Sequence, residues 1–344
     1  MSALQLRGLH EWRSCAVLIA AVLLLFGAQT SSAAPLDPDV SAFIEEFSTE
    51  HNFDRRRLER WFAQARVQPG ILKAMSNPTT AQPWHVFRAS HVSPARIKGG
   101  LEYWERYAPS LAQAAANTGV PEELLVATIG IESFYGRRVG TSSVFNALFT
   151  LAFNYPPRAA RFRSELGEFL LLARELNLDP LQIKGSYAGA LGVPQFLPSS
   201  YRQYAVDLDG DGKRDLWNHG DAIGSIANYY KSYGWQPDAP VLAQIEQSPE
   251  PVSEEFKTLL ERGISPHTTV AAIKRTGASP AFLVDDETKA AVFAAETEAG
   301  TRYWMGFNNF FVITRYNRSV NYALAVYELA QELRDLRRAN SAAR

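Results

Sequence analysis

Apolar residues recur at helical spacing from about Asp39 to Ala116. Phe43, Ile44 and Phe47, then Leu58, Trp61 and Phe62, fall at the i, i+3, i+4 positions that give a helix one apolar face. Met75-Ser76-Asn77-Pro78 and Gln82-Pro83 interrupt this pattern, and a further helix is predicted over Pro94 to Tyr107. The character changes from Trp235 to about Gly300, where proline, serine and threonine rise and short β-prone runs such as Thr268–Ile273 appear. Phe310–Thr314 reads as a strand, and Tyr322 to Leu336 returns to helical periodicity. The pattern predicts a mainly helical α+β protein with a small β-containing insertion late in the chain.

One predicted helix carries a carboxyl group in an unusual place. Pro121 suits a first helical position, and Glu122 and Glu123 suit the positive end of the helix dipole. Leu124, Leu125, Thr128, Ile131 and Tyr135 form one broad stripe, and Gly136 is the expected stop. Glu132 therefore falls near the helix C-terminus in an apolar segment. Burial and the partial negative charge of that helix end both disfavour its ionised form. A carboxylic acid still protonated near neutrality is what a general acid for glycoside cleavage requires. A surface glutamate, or one paired with Arg137 or Arg138, is the alternative that this helix alone leaves open.

Composition narrows the function classes. With a net charge of -1 over 344 residues there is no basic field to hold a polyanion, so nucleic acid is not an expected partner. The start of the chain reads as an export signal, residues 1–33. Arg7 and Arg13 precede the uncharged run Ala16 to Gly27, and Ser31-Ser32-Ala33 supplies small residues for cleavage. The run is shorter than the ~20 residues that span a bilayer, so no transmembrane segment is expected in the mature chain. Cys15, the only cysteine, precedes the run, whereas a lipid-attachment cysteine would follow it. The mature chain then has no thiol for catalysis or disulfides. The expected location is the periplasm, in soluble form.

Residues 184–201, KGSYAGALGVPQFLPSSY, are rich in small residues that let backbone approach a neighbouring surface or a ligand closely. Ser186, Tyr187 and Gln195 place hydrogen-bonding groups among them. A polar-lined groove and a tightly packed structural loop both fit this segment. Residues 207–218, DLDGDGKRDLWN, set oxygen ligands at Asp207, Asp209 and Asp211 with Gly212 at the sixth position, as in an EF-hand calcium loop. Lys213 would offer its backbone carbonyl and Asp215 would act through water. Asn218 stands where such a loop has a bidentate glutamate, and Asp221 is placed to supply the missing ligand. Several protein oxygens favour Ca2+ over Mg2+, in a structural role. A solvated acidic turn is the alternative, and no organic cofactor is expected.

Five stretches together resemble the lytic murein transglycosylase B family: ATIGIESFYGR, ALFTLAFNYPPRA, KGSYAGALGVPQFLPSSYRQYAVDLDGDGKRDLW, DAIGSIANYYKSYGW and ITRYNRSVNYALAV. The resemblance runs from about Phe43 to Glu328. It implies a lysozyme-like helical core with an additional helical domain and an EF-hand-like loop in the core. The implied division is a helical domain at 36–115 with the C-terminal helix 322–338 packing back on it, a catalytic core at 116–235, a small β-containing domain at 236–300, a return to the groove at 301–321 and a tail at 339–344.

The resemblance assigns Glu132 as the single catalytic acid and base. Ser186 takes the serine that holds the N-acetylmuramoyl residue, and Gln195 a glutamine that contacts sugar. Tyr229, Tyr316, Asn317 and Tyr322 take groove positions. Phe87 stands where the family often has tyrosine, which keeps stacking and loses a hydroxyl. The implied metal set is Asp207, Asp209, Asp211, Lys213 and Asp221. The implied reaction cleaves the bond between N-acetylmuramic acid and N-acetylglucosamine in peptidoglycan and leaves a 1,6-anhydromuramic end. The implied partners are glycan strands and cell-wall synthesis or remodelling proteins. The rival readings are a hydrolytic lysozyme-like muramidase, a non-catalytic peptidoglycan-binding scaffold and, more remotely, a calcium sensor.

Overall fold

A computed structural model describes residues 36–76, 82–247 and 252–342. The expected export signal, residues 1–33, lies outside the described residues, as do the last two residues of the tail. The chain divides into two compact units, with the boundary between Ala63 and Gln64.

In the first unit, helices α1 (Pro38–Glu50) and α2 (Arg55–Phe62) start where Asp37 and Asp54 accept hydrogen bonds from their first turns. Such caps satisfy amide hydrogens that the helix itself leaves free. Ile44, Phe47, Leu58 and Phe62 are buried between the two helices. The Phe43 ring packs 5.5 Å from Phe47 and 5.7 Å from Phe62.

The second unit opens with α3 (Pro69–Ser76), α4 (Trp84–His91), α5 (Pro94–Arg106) and α6 (Ala108–Thr118). Ser93 caps α5, and Gly119, at φ 72°, closes α6 in the left-handed region that glycine enters without a side-chain clash. Helix α7 (Glu122–Ser133) follows and is apolar on every side, with Leu124 to Gly130 all buried. A helix of that kind belongs in the middle of a core. Helices α5 and α6 flank it, as do α11 (His219–Ser232) and α15 (Val320–Ala342). Helix α15 also packs on α4 and α5.

Strand β1 (Ser142–Ser143) leads into α8 (Val144–Asn154), which packs along α9 (Ala159–Glu175). Strand β2 (Lys184–Gly185) returns to pair with β1, and α10 (Pro198–Tyr204) then packs on α9 and α11. Among the described residues, no helix is long and apolar enough to cross a membrane.

The late β region holds β3 (Leu242–Gln247), α12 (Glu254–Glu261), β4 (Thr268–Thr269), α13 (Val270–Arg275), β5 (Ser279–Pro280), β6 (Lys289–Thr297) and β7 (Gly300–Gly306). The strands form one sheet in the order β4-β6-β7-β3-β5, with neighbouring strands antiparallel. Phe256 from α12 and Val270 and Ile273 from α13 cover it, packing with Ile245, Val292 and Met305. The sheet runs through Gly306, and residue 300 falls at the β6–β7 hairpin.

Three local expectations change. Phe310–Thr314, read as a strand, lies in helix α14 (Asn308–Tyr316). Phe310, Val312, Ile313 and Thr314 are all buried, and a short run that is apolar throughout fits a buried helix as well as a strand. In Thr268–Ile273 only the first two residues are extended. The Thr269 side chain accepts from the Ala272 amide and starts α13, so a capping threonine ends the strand. Helix α7 begins after Pro121 and ends at Ser133, three residues ahead of Gly136.

Candidate active site

The early end of α7 is a constructed turn. Phe134, Tyr135 and Gly136 follow one another at φ 50°, 62° and 80°. Left-handed backbone costs a bulky residue roughly 1–2 kcal/mol, so other contacts must hold it. The Tyr135 ring folds back over Gly130, where an added Cβ would lie 2.6 Å from its hydroxyl oxygen, and that hydroxyl donates to the Arg96 carbonyl at 2.8 Å. Arg96, buried on α5, returns its Nε hydrogen to the Gly130 carbonyl at 3.0 Å and Nη1 to Ser90 at 2.7 Å. A cation at the C-terminal end of α7 also offsets the dipole there. The turn leaves Glu132 one residue from the helix end.

Glu132 is half-buried. Burial pushes its carboxyl up to about 8, against the opposing effect of a hydrogen bond from the Tyr322 hydroxyl to Oε1 at 2.5 Å. Burial alone does the raising, without a second carboxylate. Tyr322 and Tyr316 are stacked with ring centres 6.3 Å apart. Burial first, and then the Glu132 charge, holds both phenols well above their ordinary range, so they stay protonated donors. Tyr230 lies beneath and shares a hydrogen bond with Thr128 at 2.9 Å. The site is thus a carboxyl group inside a cage of phenols.

The 184–201 segment is fixed to this cage. Ser142 pairs with Gly185 and Ser143 with Lys184. Gly140, at φ 89°, lies so close to Gly185 that a Cβ would sit 2.1 Å from its carbonyl oxygen. The Ser186 hydroxyl oxygen accepts from the amides of Ala190 at 2.9 Å and Ala188 at 3.2 Å. Both bonds use it as an acceptor, which leaves its proton free to be donated. Gln195, at φ 54°, gives its Nε2 hydrogens to Gly192 at 2.7 Å and Val139 at 3.1 Å, which leaves its Oε1 as the remaining acceptor. The Tyr316 hydroxyl donates to the Pro194 carbonyl and ties the segment to α14.

The other expected groove residues divide. Tyr322 and Tyr316 stand at the carboxyl group. Tyr229 is spent on structure, because its hydroxyl donates to the Arg315 carbonyl at 2.6 Å and its ring packs 4.9 Å from Tyr316. Asn317 is exposed just past α14. Phe87 is 2% exposed and its ring lies flat on His91, 3.8 Å between centres, which places it in packing and not on a sugar-accessible face. Arg96 escapes the sequence reading, which takes Tyr135 only as part of the apolar stripe and not as a residue that holds the Glu132 turn. A glycine inside an apolar helix was the signal available for Gly130.

The acidic loop brings one oxygen each from Asp207, Asp209 and Asp221 within 4.8 Å of one another. Asp221 is 1% exposed and takes the amides of Leu208 at 2.9 Å and Asp215 at 2.8 Å. Among the described residues none of the three has a cationic partner. Gathered, partly buried carboxylates without a counter-charge suit a hard cation. Asp211 instead turns back to the Lys213 amide at 2.8 Å. Asn218 departs from the loop pattern because its Oδ1 caps α11, accepting from Gly220 at 2.7 Å, while its Nδ2 donates to Asp209 at 2.7 Å. The loop touches the 184–201 segment directly, since the Val193 amide donates to the Leu216 carbonyl at 2.8 Å.

Comparison with known proteins places these features in company. The family model described as Transglycosylase SLT domain matches residues 36–331. Membrane-bound lytic murein transglycosylase B of Escherichia coli (strain K12) is 38% identical over 305 residues, covering 86% of this chain and 82% of that protein. Soluble lytic transglycosylase SltB1 from Pseudomonas aeruginosa is similar in structure with a TM-score of 0.81 at 42% identity, over 87% of this chain and 99% of that one. The Escherichia coli lytic transglycosylase Slt35, solved in complex with calcium, gives 0.79 at 37% identity, over 88% and 94% of the two chains.

Proposed function

The chain belongs to the Transglycosylase SLT domain family and is a peptidoglycan lytic transglycosylase with a lysozyme-like helical core, and on that premise we propose that its chemistry runs through one carboxyl group, Glu132. The observation that carries this reading is the buried carboxyl at about 8, with Tyr322 hydrogen-bonded to Oε1. That bond leaves Oε2 to carry the proton. Glu132 gives the proton to the oxygen joining N-acetylmuramic acid to N-acetylglucosamine. The C1–O bond breaks with its electron pair going to the departing sugar, while the substrate's N-acetyl group stabilises C1. The Glu132 carboxylate then removes the proton of the muramic acid 6-hydroxyl, whose oxygen bonds to C1. The acid is restored and no water is consumed.

Ser186 donates its free proton to the muramoyl residue, and Gln195 Oε1 accepts from the sugar. Tyr316 and Tyr322 shape the pocket around the carboxyl. Asp207, Asp209 and Asp221, with Asp211 and the Lys213 carbonyl, would hold Ca2+, which supplies charge neutralisation for the loop and no catalytic step. The catalytic core is assigned to 116–235, joined by Tyr316 and Tyr322 from the chain's end. Work on exported glycan strands fits the signal-like residues 1–33 and a periplasmic location.

Mass analysis of products from purified murein tests the reaction. The expected fragments end in 1,6-anhydromuramic acid, lacking the elements of water. Reducing ends would instead make the enzyme a hydrolase. The acid must be protonated in the free enzyme, so kcat/KM is expected to fall as pH rises through about 8, the value to which burial raises Glu132. A flat profile between pH 7 and 10 would place the proton donor elsewhere. Replacing Ser186 with Ala is expected to lower kcat/KM about tenfold, on the order of one neutral hydrogen bond and its geometry. Unchanged initial rates on intact murein would remove Ser186 from substrate positioning.

A further inference from the structure

A phenol has one proton to give, so the donors around Glu132 can be assigned by where each proton goes. Tyr322 gives its proton to Glu132 Oε1. Tyr316 gives its proton to the Pro194 carbonyl, and Tyr135 to the Arg96 carbonyl. Tyr230 meets the Thr128 hydroxyl at 2.9 Å, a contact in which either oxygen could donate. Thr128 decides the direction, because its own proton already goes to the Leu124 carbonyl at 2.7 Å. Tyr230 is therefore the donor, and Thr128 is the acceptor that takes its proton. Among the described residues, the Glu132 carboxyl receives one hydrogen bond, the one from Tyr322.

Thr128 stands one helical turn before Glu132 on α7, where Cβ atoms on one face are about 5–6 Å apart. Thr128 and Tyr230 are both 0% exposed, so bulk water does not reach their hydroxyls. Burial raises the Tyr230 phenol well above its ordinary range, the Thr128 bond opposes that, and the Glu132 charge adds to it. Of the other elements packed against α7, α6 has no ionisable residue, α5 brings Arg96 to this end and α15 brings Tyr322, with Tyr316 reaching in from α14. Arg96 is spent on the Gly130 and Ser90 carbonyls, and Arg137 and Arg138, just past the turn, are exposed.

Resting on the assignment of Glu132 as the acid, we propose that Thr128 is a positioning residue that claims the Tyr230 proton and so holds a second phenol off the Glu132 carboxylate. A carboxylate given two phenol hydrogen bonds is stabilised as the anion, which leaves less of the acid form at neutral pH. Removing the Thr128 acceptor strands a buried hydroxyl. Its proton then turns to the strongest acceptor nearby, the carboxylate.

Carbon-13 resonances of labelled glutamate side chains, followed against pH, report the Glu132 proton directly. The Glu132 signal is the one missing from Glu132→Gln. Thr128→Val, close in shape and without the hydroxyl, is expected to titrate Glu132 about one pH unit lower than the parent. The high-pH limb of kcat/KM should move down with it. Thr128→Ser keeps the acceptor and should titrate as the parent does. Thr128→Ala lacks it and should shift as valine does, so the outcome does not hang on one variant folding. In a Tyr230→Phe background there is no proton to release, and adding Thr128→Val should shift nothing. A Glu132 titration unmoved in Thr128→Val, or one that moves equally in the Tyr230→Phe background, overturns the proposal. A titration that moves while the kcat/KM limb stays supports the role of Thr128 and overturns Glu132 as the acid, so the two failures are distinct.

Discussion

Glu132→Gln is expected to abolish murein cleavage while the protein stays folded. The amide has the shape of the acid and still accepts from Tyr322, but it cannot deliver a proton and recover it. Loss of a positioned acid and base costs typically ~10²–10⁴-fold, and here one group serves both steps. Release of soluble fragments from murein, followed over hours, is the measurement. Activity within tenfold of the parent would move catalysis to another residue.

The same substitution has a stability signature of predictable sign. Burial holds the folded carboxyl at about 8, above its ordinary 4.5, so the folded state binds the proton more tightly than the unfolded chain. The resulting stabilisation is complete below about pH 4.5 and is lost as pH rises through about 8. Glutamine has no proton to lose. The variant should therefore gain on the parent in thermal midpoint as pH rises from 5 to 9, and a constant difference across that range would contradict the buried acid.

Calcium is the second large lever. A ligand that binds only the folded form at 100 times its Kd adds about 2.7 kcal/mol. For a unit of this size that is on the order of 5–10 °C in thermal midpoint. The gain is greater where the ion also relieves repulsion, and Asp207, Asp209 and Asp221 present oxygens within 4.8 Å of one another. Chelation should lower the midpoint and cut activity at elevated temperature more than in the cold. The route is short, because Leu216 in the loop accepts from Val193 in the segment that carries Ser186 and Gln195. Asp207→Asn combined with Asp209→Asn should make the midpoint indifferent to the ion. If millimolar calcium leaves the midpoint of a verified metal-free protein unchanged, the loop is an acidic turn only.

Legibility differed between the two features for a physical reason. The acidic loop is local, and its aspartates, glycine and later Asp221 lie within a few turns of chain, so spacing alone exposed the candidate ligands. The division of labour among them was not local. Asp211 is turned to the Lys213 amide and Asn218 to the first turn of α11, and both depend on how the loop meets that helix. The groove tyrosines show the same limit. Tyr322 reaches Glu132, whereas Tyr229 is consumed by the Arg315 carbonyl. Both lie in similar aromatic helical stretches, and nothing in either stretch distinguishes the two roles.

What the amino-acid order determined by itself was the set of mostly helical elements, the apolar helix with a late glutamate, the small-residue segment and the acidic loop. Periodicity, capping residues and glycines act over a few residues, and the chain states them directly. The tertiary structure alone decided that FFVIT is helical, since so short and mostly buried a run carries no period to choose by. It alone decided that Phe87 packs on His91, away from solvent. It also decided that the Glu132 carboxyl is pushed up to about 8, because that rise comes from burial, which outweighs the opposing hydrogen bond from Tyr322, 190 residues along the chain. Desolvation is a property of what surrounds a group in space, and the sequence specifies that surrounding only through the completed fold.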